Sequence, residues 1–588
     1  MKKNKLIITT LLLFCISSIG FAATQKTFTT RDDIYKKVDN LCRIAGVTSP
    51  SSFSPMTGRS LEIALNRIDR SKLSAKEEKE LEDLYLDISG EDTHYLYSED
   101  FFKANLRLNA NLQFNIADYE DFHFYYSEAK DRRNEQAIPY RYEDAAITVY
   151  PELYFGNNLF IEADFSMKNN NHHMFESSLG WFMTDYYGFS FWGERYATAY
   201  APELPYKAGL AYSNDYLNFI VGRYPHGIGS GITGNLIVGD NFIYQEISNL
   251  SFVSNLFTYN MSITRFDQQT EPVNNITSMS RNELRGDQQF RVDHRFDINL
   301  FDKVRVAIDL ATLYNSTYGF DVRFFYPFVI GHNYYNYDNY ISKKYFDEAN
   351  NLMGITLEAS LYKGLSLSLQ FALDQFQLHF EDKTSVPSAY GVLANLKYTK
   401  SIGNGTLNTW AEGVYTNPYI YLNGKKNPDN GLYDFNLDYV VGYHMQYVAD
   451  IGYSGYQYGP DALVFSLGGE YISNDNWNFG GNILYKAQGN KGFTYSAAYD
   501  IKITDINMNN AFVEASYEDR ITSFLSTGWE NAEHLIQVKV NGGYEFTNCN
   551  IELFGVGCVN TYINHNFEPG KIDVRPQFSF GMKWHGLN

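Results

Sequence analysis

The stretch FKANLRLNANLQFNI, residues 102–116, decides the fold that we predict for this chain. Every even position in it is apolar, and every odd position between them is polar. A period of two predicts a β-strand with one apolar face and one wet face. Strands of soluble domains usually have about 5–6 residues, whereas a strand that crosses an outer membrane has roughly 9–11 and often continues beyond the bilayer. The length therefore favours a membrane barrel over the alternative, a soluble β-sandwich.

The same alternation recurs up to the C-terminus. Turn residues separate the alternating runs from about residue 100 onward, and the last run, 572–584, places Phe578, Phe580 and Trp584 on one face. Consecutive hairpins are typical of an up-and-down barrel, and only a closed barrel pairs all of its strand backbone in lipid. The predicted fold is all-β: a large closed antiparallel transmembrane β-barrel over 100–588 with a short N-terminal α-helical piece. By length, the strands should be even in number and about 16–20.

Composition agrees with a barrel. Aromatic residues make up 17% of the 588 residues, with 49 Tyr and 43 Phe, as expected for aromatic girdles at two membrane interfaces. The mean hydropathy of −0.35 argues against a bundle of membrane helices.

The N-terminus predicts an exported protein. Residues 1–22 have a basic start, an apolar centre and small residues before the expected cleavage site, as in a secretory signal peptide. Its removal would take away three lysines and no acid, lowering the formal net charge from −20 to −23. This acidic balance argues against a nucleic-acid partner, because binding to phosphates requires a basic surface.

A helical segment is predicted at 28–92, between the signal peptide and the barrel. Apolar residues recur there at spacings of three and four, and Ser74 with Glu77 forms a capping box at the start of its third helix. Two interpretations stay open: a periplasmic cap or docking element, and a small bundle that only packs on the end of the barrel.

Residues 229–234 match the pattern G-x-G-x-x-G. A dinucleotide site would require a helix to begin there, but residues 235–239 are strand-like. We therefore expect either a glycine-rich loop that folds inward or a tight approach of two chain segments inside the barrel.

The hairpin at 290–310 can be registered from its pattern. A turn at 301–303 sets Leu300 opposite Val304, which places Arg295 opposite Asp309 on the inner face. We expect these two side chains to form an ion pair in the lumen, with a structural role. Phe290 and Val292 should face outward, and His294 should lie on the same apolar face.

No catalytic or metal-binding set is evident. His172 and His173 lie in a loop without supporting acidic or cysteine ligands. The three cysteines beyond the signal peptide are too few for a disulfide scaffold. We therefore expect no enzyme activity, no cofactor and no metal, and an outer-membrane hydrolase is the weakest interpretation.

The chain contains the stretches VGRYPHGIGSGITGNLIVGDN at 221–241 and HRFDINLFDKVRVAIDLATLYNSTYGFDVRFFYPFVIGH at 294–332. Together they resemble the Wzi-like capsule-assembly family of outer-membrane barrels. Gly459-Pro460-Asp461 and the helical run ending at Asp69 are weaker matches. The chain departs from the family pattern at Gly239, where the family has Ser, and at Asp309, where Glu is more common. The resemblance implies a barrel of about 18 strands that holds capsular polysaccharide at the cell surface.

The resemblance also marks positions for the lumen or a ligand. They are Arg223, Gly229, Gly231, Gly234, Asp240, Arg295, Asp309, Arg323 and His332. The expected function is the binding or anchoring of surface polysaccharide, and the alternative is a porin-type channel for small solutes. The expected partners are polysaccharide and outer-membrane lipid, with export or barrel-assembly machinery as an open alternative. Loops rich in Tyr and Asn at 332–340 and 417–436 have the side chains that sugars require.

Overall fold

The structure is a computed structural model. It describes residues 25–90, 95–99, 101–117, 124–125, 133–169, 174–175, 189–191, 198–203, 206–266, 288–316, 319–320, 322–326, 349–375, 388–421, 423–426, 433–436, 440–444, 449–490 and 524–586. The predicted signal peptide, His172, His173, His332 and the loop 332–340 lie outside these ranges. Among the described helices, none has the length and apolar character needed to cross a bilayer.

The wall is a closed antiparallel barrel of 18 strands, which confirms the predicted fold class. The strands are β1 (Phe102–Ala117), β2 (Ile147–Phe155), β3 (Leu159–Ala163, continuing as Phe165–Asn169), β4 (Thr198–Glu203, continuing as Ala208–Ser213), β5 (Leu217–Tyr224), β6 (Gln245–Val253), β7 (Phe257–Phe266), β8 (Gln288–Leu300), β9 (Val304–Ser316), β10 (Ala349–Tyr362), β11 (Leu365–Gln375), β12 (Ala389–Ile402), β13 (Gly405–Thr416), β14 (Ala462–Ser473), β15 (Trp477–Gln488), β16 (Glu533–Phe546), β17 (Ile551–Ile563) and β18 (Ile572–His585).

The first and last strands close the barrel. β18 pairs with β1 so that Phe580 lies opposite Phe114 and Trp584 lies opposite Ala110. β1 also pairs with β2, so the alternating stretch 102–116 is hydrogen-bonded to a strand on each side.

Connections at the two ends of the barrel differ in length. One end carries short turns such as 301–303, 363–364 and 403–404, and the other carries long connections such as 225–244 and 417–461. The β8–β9 turn has the predicted register, with Leu300 opposite Val304 and Arg295 opposite Asp309. Phe301 and Asp302 both have positive φ, 55° and 57°, as in the tight turns whose twist suits a hairpin.

The two faces of the wall have opposite character. The apolar side chains of β1 and β18 point outward and are exposed, among them Leu112, Phe114, Phe578 and Met582. The polar residues between them are inward and covered, as Gln113 is. This is the outside-apolar, inside-polar pattern of a membrane barrel.

Aromatic clusters mark both rims. Tyr471 lies near Trp477, and Tyr544 near Phe546, at the short-turn end. Tyr415 stacks on Phe524 at the long-loop end, with ring centroids 3.9 Å apart. Such rings favour the level of the lipid headgroups.

The N-terminal segment forms three helices, α1 (Asp33–Ala45), α2 (Gly58–Leu65) and α3 (Ala75–Ser89). Ser74 and Glu77 make the expected capping box. The helices share an apolar core, including Val38, Leu41 and Leu81.

The helices lie at the short-turn end of the barrel. Gly364 N–H donates to the Arg43 carbonyl (2.7 Å), and Thr48 N–H donates to the Asp302 carbonyl (2.8 Å). From there, the linker between α1 and α2 enters the lumen, where Phe53–Ser54 pairs with Gly227–Ile228.

Three further segments enter the lumen from the long-loop end. They are 133–145, 225–244 and the described parts of 417–461. Apolar side chains from the second and third of these segments pack with inward wall residues in one cluster, which includes Leu236, Val238, Phe242, Tyr421, Tyr453 and Tyr456. The largest apolar core among the described residues therefore lies inside the barrel.

Glu135 anchors the first of these segments. Its carboxylate pairs with the Lys486 ammonium and accepts a hydrogen bond from the Tyr562 hydroxyl at 2.7 Å. Its backbone carbonyl accepts from Gln537 and Asn560. These wall residues belong to β15, β16 and β17, so the segment is fixed to three adjacent strands.

Candidate functional site

The connection between β5 and β6, residues 225–244, crosses the lumen to the opposite wall. We call it the glycine-rich segment. There the Glu412 carboxylate on β13 accepts hydrogen bonds from Ile232 N–H (2.6 Å), from Thr233 N–H (2.7 Å) and from the Thr233 hydroxyl (2.6 Å). The Lys397 ammonium on β12 donates to the Ser230 carbonyl (2.8 Å). The segment is therefore tied to strands far from the two that it connects.

Backbone conformation at two positions and close approach at a third explain three of the predicted glycines. Gly229 and Gly234 have positive φ, 131° and 123°, a region that side chains disfavour. A Cβ at Gly231 would lie 1.9 Å from the Gly234 carbonyl oxygen. The expected inward loop and the expected tight chain approach are both observed, and the segment does not form a nucleotide-binding turn before a helix.

Asp240, a fourth predicted position, pairs with Arg31 from the N-terminal segment. Arg31 Nε and Nη2 donate to the two carboxylate oxygens at 2.7 and 2.6 Å. Arg31 Nη1 also donates to the Arg141 carbonyl at 3.1 Å, and the guanidinium lies 5.1 Å from the Tyr142 ring centre. The contact joins three segments that are distant in the sequence.

A cavity of about 300 Å³ lies between α1, the glycine-rich segment and β10–β12. Gly229, Gly231, Gly234 and Asp240 all line it, together with Tyr35 and Tyr142. Hydroxyl and amide groups make up much of the remaining lining: Ser230, Ser360, Ser366, Ser368, Asn235 and Asn395. Its volume is at the lower end of the range for small-molecule pockets, about 300–1,000 Å³.

Burial and nearby charges set the protonation of two side chains at the cavity. Burial by itself would raise the pKa of Asp39, but Arg43 and Lys397 bring this pKa below its usual value. Burial and then the nearby Asp39 raise the pKa of the Tyr35 hydroxyl well above its usual value. The cavity therefore offers a carboxylate acceptor beside a neutral phenol donor at neutral pH.

Arg295 and Asp309 are also in the lumen, but on another part of the wall. Arg295 Nη1 donates to Asp309 Oδ1 at 3.0 Å, and both side chains are buried. Arg295 also pairs with Asp297, and Thr356 donates to Asp309. The predicted ion pair is present as part of a wall network, away from the cavity.

The structure places Arg223 and Arg323 outside the lumen, in contrast to the lumen position suggested by the resemblance. Arg223 shares the outward face of β5 with Phe219 and Val221. Arg323 is exposed in a 3₁₀ turn, Val322–Phe325, which packs on the outward face of β8 and β9. A motif match carries no information on which face of the wall a residue occupies.

The same turn explains why two residues predicted to face outward are buried. Phe290 and Val292 do lie on the outward face of β8, but Phe320 and Phe324 cover them. His294 is on this face as expected, and its Nε2 lies 2.8 Å from the Phe324 carbonyl oxygen.

Sequence reasoning missed several residues that build the site. Glu412, Lys397 and Gln370 are inward residues of regular strands, and Arg31 lies in the segment before α1. The Gln370 side chain accepts from Leu236 N–H at 3.2 Å and donates to Asn235 Oδ1 at 3.0 Å. Any polar lumen requires polar residues at inward positions, so the three strand residues carried no distinguishing signal. Arg31 carried none either, because its partner Asp240 is 209 residues away in the sequence.

A larger cavity of about 960 Å³ opens beside the first one at the short-turn end. It lies between α1, β1 and the ends of β14–β18, and Lys36 lines both cavities. Its lining includes carboxylates such as Glu470 and Glu552, and cations such as Arg107 and Lys583. We refer to it as the vestibule. In the described part of the chain, no group of three His, Cys, Asp or Glu residues is arranged to hold a metal.

Comparisons with known proteins support the fold. No protein-family model matches the chain, and no curated protein sequence matches it significantly. Among solved structures, it is similar to Wzi of Escherichia coli, described as an outer membrane protein involved in group 1 capsule assembly and a carbohydrate binding β-barrel. The TM-score is 0.53 at 11% identity, over 94% of this chain and 97% of Wzi. At 11% identity, the comparison shows a similar fold and nothing beyond it.

Two further solved structures match with lower TM-scores. OccK5 of Pseudomonas aeruginosa has a TM-score of 0.36 at 11% identity, over 82% of this chain and 98% of its own. The outer membrane channel DcaP of Acinetobacter baumannii has a TM-score of 0.33 at 11% identity, over 84% and 99% of the two chains.

Proposed function

We propose that this protein is an outer-membrane barrel of the Wzi-like type that binds surface polysaccharide without catalysing a reaction. The observation that carries the proposal is the filled lumen. The glycine-rich segment spans it and is tied to the far wall by Glu412 and Lys397, whereas an open channel would keep this path clear. The long-loop end would then face the outside of the cell and the short-turn end the periplasm.

The cavity supports a saccharide as the ligand. Sugars present hydroxyl groups in fixed directions and apolar C–H faces, which suit planar hydrogen-bonding side chains and aromatic rings. The lining supplies Ser and Asn side chains with Tyr35 and Tyr142. Its small volume suits a short part of a glycan, with the remainder of the polymer outside.

The likeness to Wzi agrees with this proposal. Wzi is described as carbohydrate binding, and the two chains match over nearly their full lengths. The four resemblance positions at the cavity lie in the first of the two family-like stretches, 221–241.

A porin-type channel is the second candidate, and the vestibule favours it. A charged cavity of about 960 Å³ at the short-turn end resembles the mouth of a channel. Transport would require the glycine-rich segment to leave the far wall.

Titration calorimetry of the purified protein with polysaccharide from its own source cell tests the first proposal. We expect saturable binding, weakened about tenfold by Tyr142→Ala, because an aromatic contact contributes about 0.5–1.5 kcal/mol beyond its buried area. Tyr85→Ala is the matched control, since Tyr85 also faces an arginine, Arg70 at 5.9 Å, but lies on the helical segment.

Conductance in planar bilayers separates the two candidates. We expect current near the membrane background for the unmodified protein. Steady single-channel currents together with an absence of glycan binding would establish the porin function instead.

A further inference from the structure

Polar residues from four adjacent strands form a row on the inner wall of the vestibule. Asn111 on β1 lies opposite Lys583 on β18, which lies opposite Glu552 on β17. Glu552 in turn lies opposite Glu545 on β16. All four residues line the vestibule, so its wall is polar across the point where the barrel closes.

The alternating stretch 102–116 supplies part of this lining. Arg107, Asn109 and Asn111 are odd positions of the stretch, and all three line the vestibule. Four more asparagines line it from α1, β15 and two turns at the short-turn end: Asn40, Asn476, Asn478 and Asn550. An amide side chain both donates and accepts hydrogen bonds, so the lining is rich in groups that bond to hydroxyls.

Two buried polar atoms on the inner face of β1 have no hydrogen-bond partner among the described residues. One is Oδ1 of Asn111, an acceptor, and the other is Nε of Arg107, a donor. The remaining groups of these side chains are engaged, since Asn111 Nδ2 donates to the Asp144 carbonyl at 3.3 Å and Arg107 Nη2 donates to Glu152 Oε1 at 2.7 Å. Buried polar atoms without a partner are costly. A ligand that both donates and accepts would satisfy the two atoms.

Two glycines leave space in the wall of the vestibule. A Cβ on Gly480 of β15 would lie 3.1 Å from Cβ of Glu470. A Cβ on Gly543 of β16 would lie 3.1 Å from Nδ2 of Asn478. Glu470 and Asn478 both line the vestibule, so a larger side chain at either glycine would reduce its volume of about 960 Å³. This volume is at the upper end of the range for small-molecule pockets, about 300–1,000 Å³.

The charges of the vestibule nearly cancel. Its described lining has five carboxylates and four lysine or arginine side chains. Lys36 pairs with Asp33 at 3.1 Å, and Lys583 pairs with Asp144 at 2.9 Å. A charged ligand would have to compete with these pairs, whereas an uncharged ligand can bond to them as they are.

We propose that the vestibule binds an uncharged saccharide, a few sugar units of a glycan chain that approaches from the periplasm. A sugar hydroxyl donates one hydrogen bond and accepts others, which suits the acceptor of Asn111 and the donor of Arg107. Lys36 lines both the vestibule and the cavity of about 300 Å³, so the two sites adjoin. The class of ligand and the orientation of the barrel rest on the proposed function, but the vestibule is a different site from this smaller cavity.

Titration calorimetry with short fragments of the source cell's polysaccharide tests the proposal. Partial hydrolysis gives fragments of a few sugars, and anion exchange separates the uncharged fragments from the acidic ones. The protein carries Tyr142→Ala, which weakens binding at the smaller cavity. We expect saturable binding of the uncharged fragments and weaker binding of the acidic fragments.

Gly543→Leu adds a side chain toward the vestibule and should weaken this binding by about tenfold or more, because at least two hydrogen bonds are lost. Gly542→Leu is the matched control, since it adds the same side chain to the outer face of the same strand and should leave the binding unchanged. Asn111→Ala should weaken binding about two- to tenfold, the effect of one neutral hydrogen bond. It keeps the test valid if Gly543→Leu fails to fold.

An absence of binding, unchanged binding in both Gly543→Leu and Asn111→Ala, or tighter binding of the acidic fragments would each overturn the vestibule site. Binding that Tyr142→Ala alone abolishes would also overturn it and would leave the smaller cavity as the saccharide site. Binding that Gly543→Leu removes and Tyr142→Ala does not affect would support the vestibule and overturn the smaller cavity.

Discussion

Individual glycines allow the glycine-rich segment to follow its path through the lumen. The glycine-rich segment turns tightly at Gly231. The carbonyl oxygen of Gly234 lies where a side-chain Cβ of residue 231 would be. Backbone is the obstacle here, and backbone cannot rotate away as a flexible side chain can. Residue 231 must therefore lack a side chain.

Gly231→Ala should destabilise the protein by about 1–3 kcal/mol, the usual cost of overpacking a closed site. The measurement is the thermal unfolding midpoint in detergent. Gly555→Ala is the control, because a Cβ on Gly555 in β17 would meet no atom closer than 4.0 Å. Equal midpoints for the two variants would contradict the proposed close approach.

Single strands act as attachment sites for the segments that fill the barrel. β13 is a regular wall strand, yet its inward Glu412 satisfies two backbone N–H groups of a connection that begins on β5. Buried N–H groups without acceptors are costly, so this carboxylate fixes the segment on the far wall.

Glu412→Ala should release the glycine-rich segment from β13. Loss of hydrogen bonds to a charged group costs about 1.5–3 kcal/mol each, so we expect a partly opened lumen with bilayer conductance above that of the unmodified protein. Glu470→Ala is the control, since Glu470 is an inward carboxylate of β14 that accepts from Asn408 in the wall. Background conductance in both variants would show that the segment stays in place without Glu412.

The outside of the barrel is apolar and suited to lipid, and its inside contains a packed protein core. Among the described residues, the exposed belt is apolar, and the largest apolar core is enclosed by the barrel. Polar wall residues separate the two and bond to the inserted segments. The barrel therefore encloses its own connections, and the cavity and the vestibule lie between these connections and the wall.

Val538→Arg tests the exterior. Val538 faces outward near the middle of β16 and is 44% exposed, so an arginine there should cost about 2–4 kcal/mol in a lipid bilayer. The measurement is reversible urea unfolding in vesicles, followed by tryptophan fluorescence. Asn541→Arg is the control, because this position on the same strand faces inward. A larger loss for Asn541→Arg would contradict the assigned orientation of the wall.

Local sequence patterns were sufficient to predict the wall of the barrel. The closed barrel, the register of Arg295 with Asp309 and the capping box of Ser74 and Glu77 were predicted, because each follows from residues close together in the sequence. The inward placement of the glycine-rich segment was one of two expectations, and its attachment to Glu412 was not foreseen. Half of the candidate site was therefore accessible from the sequence, namely the glycines and Asp240.

The sequence by itself determined the wall: strands with one apolar and one polar face, and an even number of them. A two-residue period is visible along a single segment, and a strand with such faces can be satisfied in lipid only within a closed barrel. Only the tertiary structure decided that long connections fill the lumen, that Arg31 pairs with Asp240, and that Arg223 and Arg323 face the lipid side. These features depend on contacts between distant segments, and no local pattern fixes the path of a long connection.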